Sequence, residues 1–520
     1  MWRAIHRAGP RLISAFSVCA PACKPEHNRG AAYAPPLLVP EALDSPMPST
    51  KIVATLGPST DQPLDLKRMF DAGVDVFRLN TSHGTWEDHL ARIARVRAAA
   101  AELKIHAGIL LDLQGPKIRL GEFEGGRCDL EAGAIFTITT ESVKGTCMIA
   151  STSYSNFARD VKPGDAVLLD DGSIELKAVA TDGVSVRCEV ITGGPLGDHK
   201  GINLPGVELS TASLTRKDMD DLQRGLQAGI DFVALSFVRK ATDLVRLKLF
   251  LEERDAQIPV IAKIEKPEGW KNLEQILEES DGVMVARGDL GVEMALEKVP
   301  FIQKQIIERA RAKGKFVITA TQMLESMIEH PNPTRAEVSD VANAICDGTD
   351  AVMLSAETAK GKYAGRAVKM MVRIATETES WLRPQGFREP LPPLTPSNAE
   401  IIAEAAYRAA RSAGVAAIVV FTSSGASARL ISRLRPPVPI YAFTHSESVA
   451  RQLSISFGVT PILTPDITST DEMLLQMERT LVNAGRLQPT DNVVFVAGQP
   501  IGRVGSTNLI KLHRLGGSYA

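Results

Sequence analysis

Lys263 and Glu265 stand two residues apart in the run VIAKIE (260–265). On an extended strand that spacing puts both side chains on one face. Asp289 follows in the Gly-flanked segment RGDLG (287–291). Two carboxylates beside a lysine suit a divalent cation held by oxygen ligands next to a phosphate-bearing anion. So few ligands fit Mg2+, which completes its shell with water and substrate oxygens; Mn2+ is the alternative ion. Lys263 would neutralise charge on a transferring phosphoryl group and a developing enolate. The plainer reading of the same residues is an ion pair between Lys263 and one acid. Arg78 in FRLN (77–80) supplies a planar fork suited to phosphate oxygens, or else a structural pair with an acid such as Asp112. The backbone N–H groups around Gly288 could dock a small carboxylate. Thr321, in ATQML (320–324), could bind substrate, orient a water that protonates an enolate, or cap the next helix.

These residues need a scaffold that aims them at one point, and the chain predicts one. Short runs rich in Val, Ile and Leu recur at 51–57, 74–80, 107–113, 231–237, 260–265, 281–287, 315–321 and 350–357, with helical patterns between most of them. Runs of this kind read as parallel strands buried on both faces. Repeated strand–helix units imply an α/β fold, a closed (β/α)8 TIM barrel, whose active site sits at the C-terminal strand ends. Those ends carry Arg78 and Asn80, Asp112, Ser236, Lys263 and Glu265, Arg287 and then Asp289, and Thr321. One polar strand end may cap a helix, but six in register with both charge signs argue for a common site.

The barrel is expected over 47–117 and 214–381, interrupted at 118–213 by a small all-β module of alternating stretches and Asp-Gly turns. An insertion at a barrel mouth is placed to act as a lid. A Pro-rich linker at 382–397 leads to a separate C-terminal α/β domain, 398–520, with a mainly parallel sheet. There Thr422, Ser423, Ser424, Gly425 and Ser427 follow the strand AAIVVFT and open a helix. Their hydroxyls and N–H groups form either an anion site for a phosphorylated effector or an ordinary capped turn.

Composition excludes several classes. Apolar residues are 44%, charged residues 23% and the net charge −2, so no broad pull toward nucleic acid or an anionic membrane is expected. No apolar run reaches the roughly 18 residues of a membrane span. The six cysteines lack zinc-ligand spacing and read as reduced thiols of a cytoplasmic protein. Residues 1–46, with Arg3, Arg7 and Arg11 before a weak apolar stretch, read as a disordered leader ahead of a translation start near Met47 or, alternatively, as a targeting segment.

The strings FRLNTSHG, LDLQGPKIR, HKGINLPG, IAKIEKPEG, ARGDLG, ATQMLESM and SAETAKG occur in this order. Over roughly 50–520 the chain resembles the pyruvate kinase family. The resemblance implies transfer of a phosphoryl group from phosphoenolpyruvate to ADP, the final step of glycolysis, in a homotetramer. By matched position Lys263 is the transition-state stabiliser, and Glu265 and Asp289 are the magnesium ligands. Arg78, Ser236, Arg287, Gly288, Asp289 and Thr321 would meet the substrate; Asn80, His83, Arg119 and Lys200 would meet the nucleotide. A sugar phosphate or nucleoside monophosphate is the implied effector. Many members bind potassium through positions matching Asn80, Ser82, Asp112 and the main chain of Leu113. An acid commonly stands in them where this chain has Lys117, which implies that K+ is not required. A metal-dependent lyase or aldolase acting on a pyruvate enolate, or a non-catalytic protein on the same scaffold, are the competing readings.

Overall fold

The computed structural model describes residues 47–516 except 388–395, 413, 468, 502 and 504. The leader expected over 1–46, with Cys19 and Cys23, and the middle of the linker lie outside the described residues.

All eight expected runs form strands: β1 (Lys51–Thr55), β2 (Val76–Asn80), β3 (Gly108–Asp112), β4 (Phe232–Leu235), β5 (Val260–Ile264), β6 (Gly282–Ala286), β7 (Phe316–Ala320) and β8 (Ala351–Leu354). They close into one barrel, each paired with its chain neighbours and β1 with β8, and every pairing is parallel. Most strands stop a residue or two before the apolar run does, because the chain turns away once it reaches the mouth.

Strand periodicity explains how a hydrophobic barrel presents charges. Outward positions such as Ile52, Phe77, Leu111 and Leu235 pack with the helices in the main core. The alternate positions Val53, Val76, Leu110, Ala234, Ile261 and Met284 fill the barrel axis. Two residues further along the same inward rows come Thr55, Arg78, Asp112, Ser236, Lys263 and Ala286. The polar cluster is therefore the top layer of the barrel's own core stack. At the lower end Gly282 leaves room for the Phe316 ring, which any Cβ placed there would overlap.

Helices between strands start and stop on local chemistry. Thr85, Thr215 and Thr334 each cap a helix by accepting the N–H three residues on, in reciprocal capping boxes. Pro63 opens the helix Pro63–Ala72, and Gly73 closes it at φ 105°.

The inserted module is a six-stranded sheet, from Ile202–Asn203 at one edge to Ile149–Ser151 at the other, with a two-stranded ribbon of Arg127–Leu130 and Gly194–Gly197. Its alternating strands bury Phe136, Ile138, Leu176 and Val186 in a core of its own. The C-terminal sheet has five strands, four parallel (Val459–Leu463, Ile440–Thr444, Val415–Phe421, Asn492–Gly498) and an antiparallel edge, Thr507–Arg514. It has an apolar cluster on each face. Ile455 from this part joins the lower barrel layer, while Arg451 pairs with Asp231 at 2.7 Å and Arg435 with Asp350 at 2.8 Å.

Candidate active site

Lys263, from β5, is buried at the mouth with its Nζ 2.8 Å from Glu265 Oε1 and 3.1 Å from Asp112 Oδ1. The same ammonium donates to Ser236 Oγ at 2.7 Å. It thus pairs with two acids where the simpler sequence reading had one. Burial alone would depress the Lys263 pKa; Asp112 and then Glu265 overturn that and hold it above the ordinary range. Lys263 is a fixed positive charge.

Asp112 bridges Lys263 to Arg78. Its Oδ2 accepts from Arg78 Nε at 2.8 Å and lies 2.7 Å from Nη2, while Nη1 donates to Thr55 Oγ1 at 3.0 Å. The pairing of Arg78 with Asp112 weighed from sequence is therefore present. Burial raises the Asp112 pKa, but Lys263 and Arg78 outweigh it and keep the carboxyl below its usual value. Ser236 Oγ donates to Leu113 O at 2.7 Å, so the main chain of Leu113 is tied into the cluster. Asn80 Oδ1 accepts from the Ser82 N–H at 3.1 Å, which folds the β2 end back on itself.

Glu265 is buried, and its second oxygen accepts from Phe237 N–H at 2.8 Å. Burial raises its pKa, Lys263 opposes, and the charge of Asp289 raises it again. Asp289 is half-buried and has no hydrogen bond or ion pair recorded among the described residues. A buried carboxylate strained by a second carboxylate is a place for a cation, so the donor set fits a divalent metal. Among the described residues no group of three or more His, Cys, Asp or Glu side chains gathers to hold an ion.

Thr321 does not cap a helix. It has φ 68° and Gln322 has φ 53°, and the next helical turn, Glu325–Ile328, begins after Leu324. Its hydroxyl instead accepts from Gly288 N–H at 2.8 Å and donates to Ala320 O at 2.6 Å. Arg287, expected at the substrate, donates to Thr321 O at 2.6 Å and Ala320 O at 3.2 Å, and pairs with Asp340 at 2.7 Å. Its guanidinium braces the left-handed Thr321 turn, whose strain needs such outside support.

The inserted module faces this cluster with more positive charge. A cleft of about 30 Å³ is lined by Lys117, Asp171, Asn203, Phe237, Lys266 and Asp289. Lys117 is half-buried, and its Cε lies 3.7 Å from where a Cβ on Gly201 would be. Burial and then the charges of Lys117, Arg119 and Arg78 lower the His83 pKa, which keeps that imidazole neutral. Arg119 donates to His199 O at 3.0 Å, and Lys200 pairs with Asp170 at 2.8 Å. The sequence reading missed Glu293, which holds Lys266 of the barrel and accepts from Asn203 of the inserted module at 3.0 Å. The only available signal was the Glu293 spacing of four from Asp289, one helical turn.

Such a mouth, with fixed cations, buried carboxylates and a basic inserted module beside it, suits phosphoryl transfer, and the comparisons with known proteins agree. Residues 47–368 match the family model described as pyruvate kinase, barrel domain, and residues 400–513 match pyruvate kinase, alpha/beta domain. The chain belongs to the pyruvate kinase family. It is 45% identical over 467 residues to a pyruvate kinase of Corynebacterium glutamicum, covering 90% of this chain and 98% of that one. A pyruvate kinase of Mycobacterium tuberculosis is 45% identical over 468 residues with the same coverage. The crystal structure of a pyruvate kinase from Cryptosporidium parvum superposes with TM-score 0.83 at 36% identity, covering 90% of this chain and 96% of that one. Family membership makes this chain a phosphotransferase of glycolysis and displaces the lyase and non-catalytic readings. No described helix is long and apolar enough to cross a membrane.

Proposed function

We propose that this enzyme transfers the phosphoryl group of phosphoenolpyruvate to ADP, yielding pyruvate and ATP, with Lys263 as the central charge. The observation that carries this reading is the chain of contacts Arg78–Asp112–Lys263–Glu265, which locks two cations at the mouth before substrate arrives. Preorganised charge needs no reorganisation as the phosphoryl group moves. Glu265 and Asp289 would hold Mg2+. When bound, that ion supplies positive charge to phosphoryl and carboxylate oxygens.

Lys263 and Arg78 stabilise the negative charge spread over the transferring group. ADP enters between the barrel and the inserted module, where Asn80, His83, Arg119 and Lys200 meet it. Uncharged His83 can accept or donate a hydrogen bond without repelling its cationic neighbours. The Thr321 hydroxyl, fixed by Gly288 and Ala320, orients the water that protonates the enolate. Substrate carboxylate binding at Gly288 competes with the present Gly288–Thr321 hydrogen bond, so docking and release of the Thr321 hydroxyl are linked.

Lys117 beside His83 supplies a tethered charge, and supports a reaction that does not need K+. The Thr422–Ser427 turn lines a cavity of about 120 Å³ together with Thr444, Arg503 and Ser506, which supports a phosphorylated effector there. Gly425 N–H donates to Thr422 Oγ1 at 2.9 Å, so part of that turn is self-satisfied before a ligand arrives. The domain limits given by the sequence and a homotetrameric assembly complete the proposal. Coupling phosphoenolpyruvate and ADP to pyruvate formation, with Mg2+ present, tests it; no pyruvate above the minus-enzyme rate would overturn it.

A further inference from the structure

The inserted module carries Arg119 and Lys200, two of the cations proposed to meet ADP, so whatever holds the module at the mouth sets where they stand. The edge that faces the barrel is one connected piece. Arg119 and Gly201 form an antiparallel bridge, and Lys200 O accepts from Leu120 N–H at 2.9 Å. Asp170 N–H donates to Gly201 O at 3.1 Å, while its carboxylate pairs with Lys200 at 2.8 Å. Asn203 ends the same stretch, on the strand Ile202–Asn203, which pairs with Leu169 and Leu168. Arg119, Lys200 and Asn203 therefore shift together.

Asn203 is also where this edge meets the barrel. Its Nδ2 donates to Glu293 Oε1 at 3.0 Å. Among the described residues, no other hydrogen bond or ion pair joins 118–203 to the barrel. Glu293 ends the helix Arg287–Glu293, one turn beyond Asp289, and its side chain is only 1% exposed. The oxygen that receives Asn203 also receives Lys266 Nζ at 2.5 Å, from the residue that follows Glu265. A buried carboxylate neutralised by one lysine cannot swing away without stranding both charges, so Glu293 is a fixed post. A second part of the module comes up to the same helix. The turn at Gly172 approaches Val292, whose Cγ1 would lie 3.7 Å from a Cβ placed on that glycine.

We propose that Glu293 is a positioning residue for the nucleotide. Anchored to the barrel by Lys266, it fixes Asn203 and through it holds Arg119 and Lys200 over the mouth. The inference rests on the proposed nucleotide role of those two cations. It also implies a division of effects. Losing the Asn203–Glu293 bond frees the edge of the module but leaves Arg78, Lys263 and Glu265 in the barrel, so ADP should suffer and phosphoenolpyruvate should not. The bond can moreover be turned round. An amide donates to a carboxylate, and exchanging the two groups keeps both the bond and the net charge.

Steady-state kinetics of the full chain test this. Asn203→Asp sets a second carboxylate against Glu293 and should raise KM for ADP several-fold, with kcat and KM for phosphoenolpyruvate within twofold. Asn203→Leu removes the donor without adding charge and should move KM for ADP the same way by less. Asn203→Asp combined with Glu293→Gln reverses the bond and should return KM for ADP to within twofold of wild type. Unchanged KM for ADP in both Asn203 variants would overturn the proposal. So would a lowered melting temperature with all three constants moving together and no recovery in the double variant, which is what a merely structural contact gives. Lys200→Met, assayed in parallel, separates the two claims. A raised KM for ADP there, with none in the Asn203 variants, overturns the role of Glu293 alone; no rise there overturns the nucleotide reading of Lys200.

Discussion

Replacing Lys263 with Met removes one charge and keeps most of the stem, so its effects on chemistry and on stability can be separated. Asp112 keeps the Arg78 guanidinium at 2.7 Å, but Glu265 keeps only the Phe237 N–H at 2.8 Å. The stability cost therefore falls on Glu265. Stripping the partner from a buried ion pair costs about 3–5 kcal/mol, and less if the orphaned group can take up a proton. The Glu265 pKa is already raised by burial, with Lys263 the largest opposing influence. In the variant it must rise further. A carboxyl whose folded value exceeds its unfolded value binds its proton more readily in the native state, so stability falls as pH rises through the folded value. The deficit of Lys263→Met against wild type, measured in urea without metal, should thus shrink as pH is lowered from neutrality toward the ordinary value of 4.5. Turnover should fall by at least about 10²–10³, the loss seen when one preorganised stabilising donor is removed, with KM for phosphoenolpyruvate changing far less. A near-normal kcat would refute the role of Lys263. A kcat loss with a stability deficit independent of pH would refute the charge accounting at Glu265.

Arg78→Lys should lower kcat/KM for phosphoenolpyruvate by about 10²-fold, because an ammonium cannot hold Asp112 and Thr55 and also offer a planar fork; unchanged steady-state constants would contradict this. With tetramethylammonium replacing potassium at fixed ionic strength and saturating Mg2+, activity should persist, and Lys117→Glu should create a potassium requirement; strong activation of wild type by potassium would sink the idea. A sugar phosphate or nucleoside monophosphate should raise the melting temperature and shift activity, with Thr422→Ala and Ser424→Ala removing both effects; silence in every combination would dispose of the effector site. Deleting residues 1–46 should leave turnover and melting temperature unchanged, and a truncated protein that loses activity would contradict that.

The barrel was legible because parallel strands buried on both faces leave apolar runs that few other elements produce. The site was legible for a related reason: inward rows that are apolar for two layers and then turn polar point to a mouth. Partners were much less legible. Asp112 reaches Lys263 across β4, and that contact depends on how the strands stagger, which no local pattern records. The same limit applies to Arg78, whose pairing with Asp112 holds its guanidinium at the mouth. Backbone conformation was hidden as well. Thr321 before a polar stretch reads as a cap, yet two successive left-handed residues turn its hydroxyl back to Gly288. A non-glycine residue accepts that conformation only where surrounding bonds hold it, and here Arg287 supplies them. Arg287 therefore has a local duty that its place at a strand end does not announce: it holds the Thr321 turn. Chemistry carried by one strand can be read from a sequence, whereas chemistry made by the pairing of distant strands has to be read from the fold.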